Sequence, residues 1–333
     1  MQGYRKFRDP DFLEILVPRA TFLSSWLRSF EKGDFSMLEH RQWLALLPLF
    51  FLGSCSYLPT SDKVGSEKGP TFIERLNNGL VSTFDLENSE LEIEVKEDDF
   101  DTDFRLKTVS SIRDGDDGSY WLNQTNISKQ DDETTVNLGM IYRRLSEDEK
   151  SIFGVNVFFD HEFPRNHQRT SIGFERFSKK FDLSANLYSA ISSDKTKGNV
   201  TERAMDGFDY EIGVPAPYLP SSRLYVGGYS WDGSSYDIDS GVTAKLETKV
   251  NNRFSFDLGI EDNNRLTSSR VTGKIAIALG PVEPEEIPKN LVSSRAFEPD
   301  AGESQAERVY DFVRRQNRIV KTVSGSVTVA RGT

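Results

Sequence analysis

From Leu91 to Leu279 the chain alternates apolar and polar residues, a period of two and not the spacing of an amphipathic helix. Phe254, Phe256, Leu258 and Ile260 alternate with Ser255, Asp257, Gly259 and Glu261. Phe181, Leu183, Ala185 and Leu187 do the same, as do Val136, Leu138 and Met140, then Phe208, Tyr210, Ile212 and Val214, and finally Ile275, Ile277 and Leu279. Phe153, Val155, Val157 and Phe159 form another series, broken only by Phe158. Each stretch puts one strand face in an apolar medium and the other among polar groups. The polar set is mostly Gly, Ser and Asn with scattered charges, which suits a wet barrel interior, and Trp121, Phe177, Tyr225 and Trp231 near strand ends suit interfacial girdles. A soluble sandwich would show the same alternation but would have edges to protect, whereas closure removes them. The pattern predicts an all-β fold, a twelve-stranded antiparallel transmembrane β-barrel over 91–280. Strands are expected to begin near Leu91, Asp103, Tyr120, Thr134, Ile152, Thr170, Phe181, Phe208, Arg223, Val242, Phe254 and Val271. One set of connections is short (145–150, 179–180, 251–252) and the other longer (162–168, 192–205, 231–240). Pro215, Pro217 and Pro220 end the eighth strand, since proline cannot continue a ladder.

Composition changes this picture little. Of 333 residues 37% are hydrophobic and 28% charged, with a mean hydropathy of -0.50. A barrel can be polar on average because only alternate residues face lipid. The net charge of -11 argues against a nucleic-acid partner, for which basic clusters are needed. The lone Cys55 excludes an internal disulfide and any multi-cysteine metal site.

Ahead of the barrel, Trp43 to Leu52 is a short apolar run containing Pro48, too short to span a bilayer as a helix but long enough for a signal-peptide core. Leu52-Gly53-Ser54-Cys55 resembles a bacterial lipobox, which makes Cys55 a candidate lipidation site. Residues 1–55 read as leader and signal peptide, with Met37 a candidate true start, and 56–90 as a periplasmic segment. The alternative is a buried apolar helix with an incidental cysteine.

Several segments, in order, resemble one known family. Ile152 to Asp160, with Gly154, Asn156 and Asp160, resembles the Leu-Gly-x-Asn-x-Phe-x-Asp signature of inverse autotransporter barrels, the intimin and invasin family. Arg169 to Glu175, including Gly173 and Glu175, looks like the family's next strand, and Leu183 to Tyr188 like the following one. Glu202-Arg203 with Gly207, Phe208 and Asp209 resembles Glu-Arg-Pro-x-x-Gly-Phe-Asp, and Pro217 to Pro220 the Leu-Pro-x-Tyr-Pro turn. Tyr310 to Val320, with Arg315, Asn317, Ile319 and Val320, is similar to the family's linker, and Phe72 to Phe84 to its amphipathic approach. The resemblance implies a bacterial outer-membrane barrel with both ends periplasmic. It also implies a linker that re-enters the pore and carries a passenger outward. Family members usually continue into adhesive immunoglobulin-like domains. This sequence runs only to Thr333, so the expectation is a translocation unit with little or no passenger. Expected partners are outer-membrane lipids, the barrel-assembly machinery and host or neighbouring-cell surface ligands.

Candidate chemistry is sparse. Asp160-His161 is the most enzyme-like pair, but Asp160 also matches the barrel signature, so no enzyme, cofactor or metal is expected. His161 and His167 have no cysteine partners to specify a metal. Glu175, Asp209 and Arg203 are candidates for one polar network in the lumen, and Arg308, Arg314, Arg315 and Arg318 for pairing with lumenal acids. The clusters Glu97 to Asp99, Asp114 to Asp117 and Asp131 to Glu133 read as solvated turns. Residues 281–299 read as an irregular connector, and Ser304 to Lys321 as a pore-threading linker or short helix, for which Ser304 with Glu307 is a candidate capping box. Two further readings stand beside the translocation unit: a stand-alone barrel serving adhesion, structure or solute passage, and a soluble periplasmic lipoprotein.

Overall fold

The computed structural model describes residues 88–96, 102–130, 132–232, 238–280, 292–297 and 304–325. The leader with Cys55, the approach Phe72 to Phe84 and the cluster Glu97 to Asp99 lie outside the described residues. Twelve strands form a closed antiparallel barrel. They are β1 (Ser89–Lys96), β2 (Thr102–Asp114), β3 (Ser119–Gln130), β4 (Glu133–Leu145), β5 (Ser151–Phe163), β6 (His167–Ser178), β7 (Asp182–Ala190), β10 (Asp206–Pro215), β11 (Ser222–Asp232), β12 (Ile238–Lys249), β13 (Phe254–Asn263) and β14 (Arg270–Leu279). Pairing of Ser89 with Leu279 and Val95 with Gly273 zips β1 to β14 and leaves no open edge. Every barrel strand begins within a few residues of the position that alternation predicts.

The exterior explains why the fold needs a bilayer. Phe153, Val155, Val157 and Phe159 on β5 are exposed, as are Leu138, Ile172, Leu187, Ile212 and Ile275 around the wall. Their strand neighbours Asn156, Asp160, Asn137, Ser171 and Asn186 point inward and are buried. A closed sheet with an apolar outside and a polar inside rules out the soluble sandwich. No helix among the described residues is long and apolar enough to cross a membrane.

Two expectations are corrected. Of the four girdle candidates only Trp121 faces outward; Phe177, Tyr225 and Trp231 are buried. Glycine makes two of these inward positions possible: a Cβ at Gly213 would lie 2.2 Å from the Tyr225 ring and one at Gly207 2.2 Å from the Trp231 ring. The connection expected over 162–168 is a tight turn, because β5 and β6 extend until Glu162 pairs with His167. The longest described connection is the one between β7 and β10, which carries β8 (Lys195–Lys197) and β9 (Val200–Ala204) as a small hairpin.

Of the two readings of residues 304–321, short helix or threading segment, the structure has a single helical turn followed by extended chain. A single 3-10 turn, Ala306–Tyr310, forms without a side-chain cap bond. Beyond it the chain runs without regular structure to β15 (Lys321–Gly325), which pairs with β9 in a three-stranded sheet.

Candidate functional site, a chain threaded through the barrel

Ser89 and Leu279 mark the near end of the barrel, together with the turns 115–118, 146–150, 179–181, 216–221 and 250–253. The 3-10 turn sits at this end: the Gln305 amide donates to the Glu149 carbonyl, and Arg308 grips Asp182 with two hydrogen bonds of 3.0 and 2.9 Å. At the far end Lys321 Nζ lies 2.5 Å from Glu133 and 2.7 Å from Glu162. Residues 311–320 therefore cross the lumen from near end to far end.

An extended chain inside a barrel has no ladder of its own, and its amide groups need other partners. The barrel wall supplies them. Gln124 accepts from the Val313 amide at 2.9 Å, and Asn186 donates to the Arg314 carbonyl at 2.9 Å. Tyr188 and Asp209 accept from the Gln316 amide at 2.8 and 3.1 Å, and Arg169 donates to the Gln316 carbonyl at 2.6 Å. Asn137 donates to the Asn317 carbonyl at 2.8 Å, while Asn126 donates to its side-chain oxygen at 3.0 Å. Arg143 donates to the carbonyls of Val309 and Asp311.

The linker itself alternates. Val309, Val313, Asn317 and Ile319 are buried, and the Arg315 side chain is fully covered, so the odd-numbered face docks on the wall made by β3 to β7. Val309 and Val313 join Leu122, Ile141, Leu145, Ile152 and Phe177 in an apolar cluster at the near end. Full burial of each valine is worth on the order of 1.5–3 kcal/mol. Val320 packs on Tyr188, Met205 and Trp231 at the other end. Asp160 is the central ionic anchor. Arg315 holds both its carboxylate oxygens at 2.9 and 2.7 Å, Arg169 holds one at 2.9 Å, and Asn137 donates to it at 2.7 Å. The Arg315 guanidinium also lies 4.2 Å from the Phe158 ring centre, a cation–π contact. Phe158, the odd member of its series, turns inward here because Gly139 leaves room: a Cβ on that glycine would lie 2.2 Å from the ring.

The even-numbered face looks across the pore. Arg314 reaches Glu211 at 2.5 Å and both oxygens of Glu247 at 2.9 and 2.7 Å, and Arg318 approaches Asp103 at 3.9 Å. Around these bridges an open cavity of about 1970 Å³ remains, lined by Glu92, Lys107, Lys245, Asp257 and Lys274 among others. The linker thus lies along one side of the lumen and leaves open space on the other.

Structure separates several residues that the sequence places together. Asp160 and His161 are consecutive on β5 and therefore face opposite sides; His161 instead contacts Asn166 and Gln168, so the pair has no catalytic geometry. Glu175, Asp209 and Arg203 are not one network. Glu175 pairs with Arg143 at 2.6 Å, Asp209 accepts from Tyr188 and Asn186, and Arg203 projects from the outer hairpin onto Asp194. Asp194 is held below the ordinary carboxylate range, chiefly by its hydrogen bonds from Arg203. Of the remaining candidates, Gly154 and Gly173 make room in the lumen for Glu175 and Asn156, and Phe208 is exposed on the outer face. Glu162, His167 and Glu202 place ligand atoms within 4.8 Å of one another, but the Lys321 ammonium already sits against this group and supplies its positive charge. Sequence reasoning did not single out Arg143, Arg169, Glu211 or Glu247. The signal was present: each is a charge at an inward position of an alternating strand, which must find a partner.

Comparison with known proteins agrees with this architecture. Residues 61–280 match the inverse autotransporter β-domain family. Over 105 residues the chain is 35% identical to the putative attaching and effacing protein homolog of Escherichia coli K12, covering 30% of this chain and 35% of that protein. It is 29% identical over 126 residues to the inverse autotransporter adhesin YeeJ of the same strain, covering 36% of this chain and 5% of the adhesin. The alignments thus span about a third or less of these relatives' own length. Among solved structures, a protein from a study of in-meso membrane-protein crystallization superposes with a TM-score of 0.57 at 18% identity, over 71% of this chain and 99% of that one. The KdgM porin gives a TM-score of 0.42 at 10% identity, over 58% of this chain and 99% of the porin.

Proposed function

The chain belongs to the inverse autotransporter β-domain family and resides in the bacterial outer membrane, and from this premise we propose that its barrel is a translocation unit whose linker carries the C-terminal segment from the periplasm to the cell surface. The near end faces the periplasm on this reading and the far end, with the β8–β9–β15 sheet, faces outward. The observation that carries it is the single extended chain crossing the lumen, met on each side by groups of the wall. Between the apolar contacts at its two ends the linker's contacts are ionic and polar, which lets a chain slide in before locking. The lock at exit is Lys321 among Glu133, Glu162 and Glu202, followed by strand pairing of β15 with β9. No step of chemistry is assigned to the barrel, and it acts as a conduit and an anchor. Assembly into the membrane engages the barrel-assembly machinery, and surface ligands belong to whatever segment the linker displays.

An epitope tag placed after Thr333 tests the reading. Antibody is expected to bind intact cells; a tag seen only after permeabilisation overturns display. The open side of the lumen favours a second role, passage of small solutes beside the linker. Planar-bilayer recordings of the full chain are expected to show a small steady conductance, and a silent bilayer removes this second reading.

A further inference from the structure

The outer wall is apolar over most of its height, but among the described residues three arginines point outward from barrel strands: Arg113 on β2, Arg144 on β4 and Arg176 on β6. Each lies within the last few residues of its strand at the near end, the strands ending at Asp114, Leu145 and Ser178. Register gathers them into one patch. Arg113 lies opposite Trp121, and Trp121 opposite Tyr142. Arg144 lies opposite Phe153, and Phe153 opposite Arg176. The Trp121 and Tyr142 rings pack at 5.0 Å. The Arg176 guanidinium rests 5.0 Å from the Phe153 ring centre and 4.7 Å from that of Phe181, and its Nε is covered without a hydrogen-bond partner. None of the three forms an ion pair with a described carboxylate. Asp117 in the adjoining turn is near enough to feel the Arg144 charge, but its hydrogen bonds come from the amide and hydroxyl of Ser119.

A lipid-facing arginine costs roughly 2–4 kcal/mol at the bilayer midplane and about 0–1 kcal/mol near the interface, so three at one end place that end at headgroup level. With no carboxylate to take their hydrogen-bond donors, they need an acceptor from outside the protein. The guanidinium fork matches a phosphate, which can accept two parallel bonds from it. Strands β4 and β6 flank β5, so Arg144 and Arg176 are separated by two interstrand spacings, about 10 Å. Two long side chains close that gap on a single phosphodiester, with Phe153 between them as an apolar floor for the glycerol and acyl carbons.

We propose that Arg144 and Arg176, with Arg113 beside them, form a binding site for the phosphate of an anionic phospholipid in the periplasmic leaflet. The assignment of leaflet rests on the orientation proposed above; the grip on phosphate does not. Full-length protein extracted in detergent is incubated with phosphatidylglycerol, phosphatidylethanolamine or lipid A, and bound lipid is read by native mass spectrometry. Phosphatidylglycerol is expected to stay bound to the wild type. The double variant Arg144→Gln/Arg176→Gln is expected to lose about tenfold of that retention, and each single variant severalfold. Heat-modifiable gel mobility confirms closed barrels, and the single variants carry the test where the double variant fails to close. Lys129→Gln, an outward position on β3 at the far end, is expected to retain lipid as the wild type does. Equal retention by wild type and arginine variants overturns the site, and preference for lipid A over phosphatidylglycerol overturns the leaflet. A hidden tag at Thr333 would overturn export alone, so the two proposals fail separately.

Discussion

Asp160 concentrates the ionic logic of the lumen. Its carboxylate is completely buried and bonded by Arg315, Arg169 and Asn137. Removing one partner of a buried pair costs on the order of 3–5 kcal/mol, because the other charge is stranded. Asp160→Asn is expected to lower the temperature of the heat-modifiable transition strongly, and adding Arg315→Gln is expected to return part of the loss. A single variant that melts with the wild type would show that the pair carries little. Gly139 tests packing in the same way. Gly139→Val pushes a side chain into the Phe158 ring and is expected to impair closure, with Phe158→Ala rescuing it. At the surface, Asp194 titrates low chiefly through hydrogen bonds from Arg203. A depressed carboxylate contributes above its unfolded pKa and loses that contribution as pH falls through its folded value. Arg203→Gln is therefore expected to raise the Asp194 midpoint, followed by the carboxyl-carbon chemical shift; an unmoved midpoint would dissolve the pair.

At the level of elements, strands were legible because their signal is local. Alternation marks a strand residue by residue, and one face in lipid makes a register slip expensive. The linker was less legible. Its residues 309–320 carry the same alternation, Val313, Arg315, Asn317 and Ile319 on one face, yet the arginines and the Ser304–Glu307 spacing read equally as a capped helix. The lumen decides between them: wall side chains bond to the backbone of Val313, Arg314, Gln316 and Asn317, which a helix would turn onto itself. Pairing of β15 with β9 is equally nonlocal, with Ser324 opposite Thr201. Cysteines at these two positions are expected to form a disulfide under mild oxidation of whole cells. Two free thiols under conditions that oxidise a control pair would argue against the exit strand.

For the whole molecule, the consequence is a pore divided lengthwise. The linker seals the β3 to β7 side, while charged residues of β1, β2 and β10 to β14 line open space. Deleting 304–333 frees the covered wall, including Arg143, Arg169 and Asp160, and is expected to raise conductance severalfold. Equal conductance with and without the segment would mean that it does not occupy the lumen in a membrane.

The sequence by itself determined the barrel: strand number, antiparallel order and, along the regularly alternating runs, which face meets lipid; the inward turn of Phe158, Phe177, Tyr225 and Trp231 it did not. What it did determine follows from short-range periodicity and from the need to satisfy every backbone group within a bilayer. It also carried enough ordered motifs for the family resemblance. Only the tertiary structure decided which charges meet. Arg143 found Glu175, Arg314 found Glu211 and Glu247, Arg203 left the lumen for Asp194, and Asp160 parted from His161. Closure sets those pairings, because it brings strands far apart in sequence around one narrow channel and threads the chain's own continuation between them.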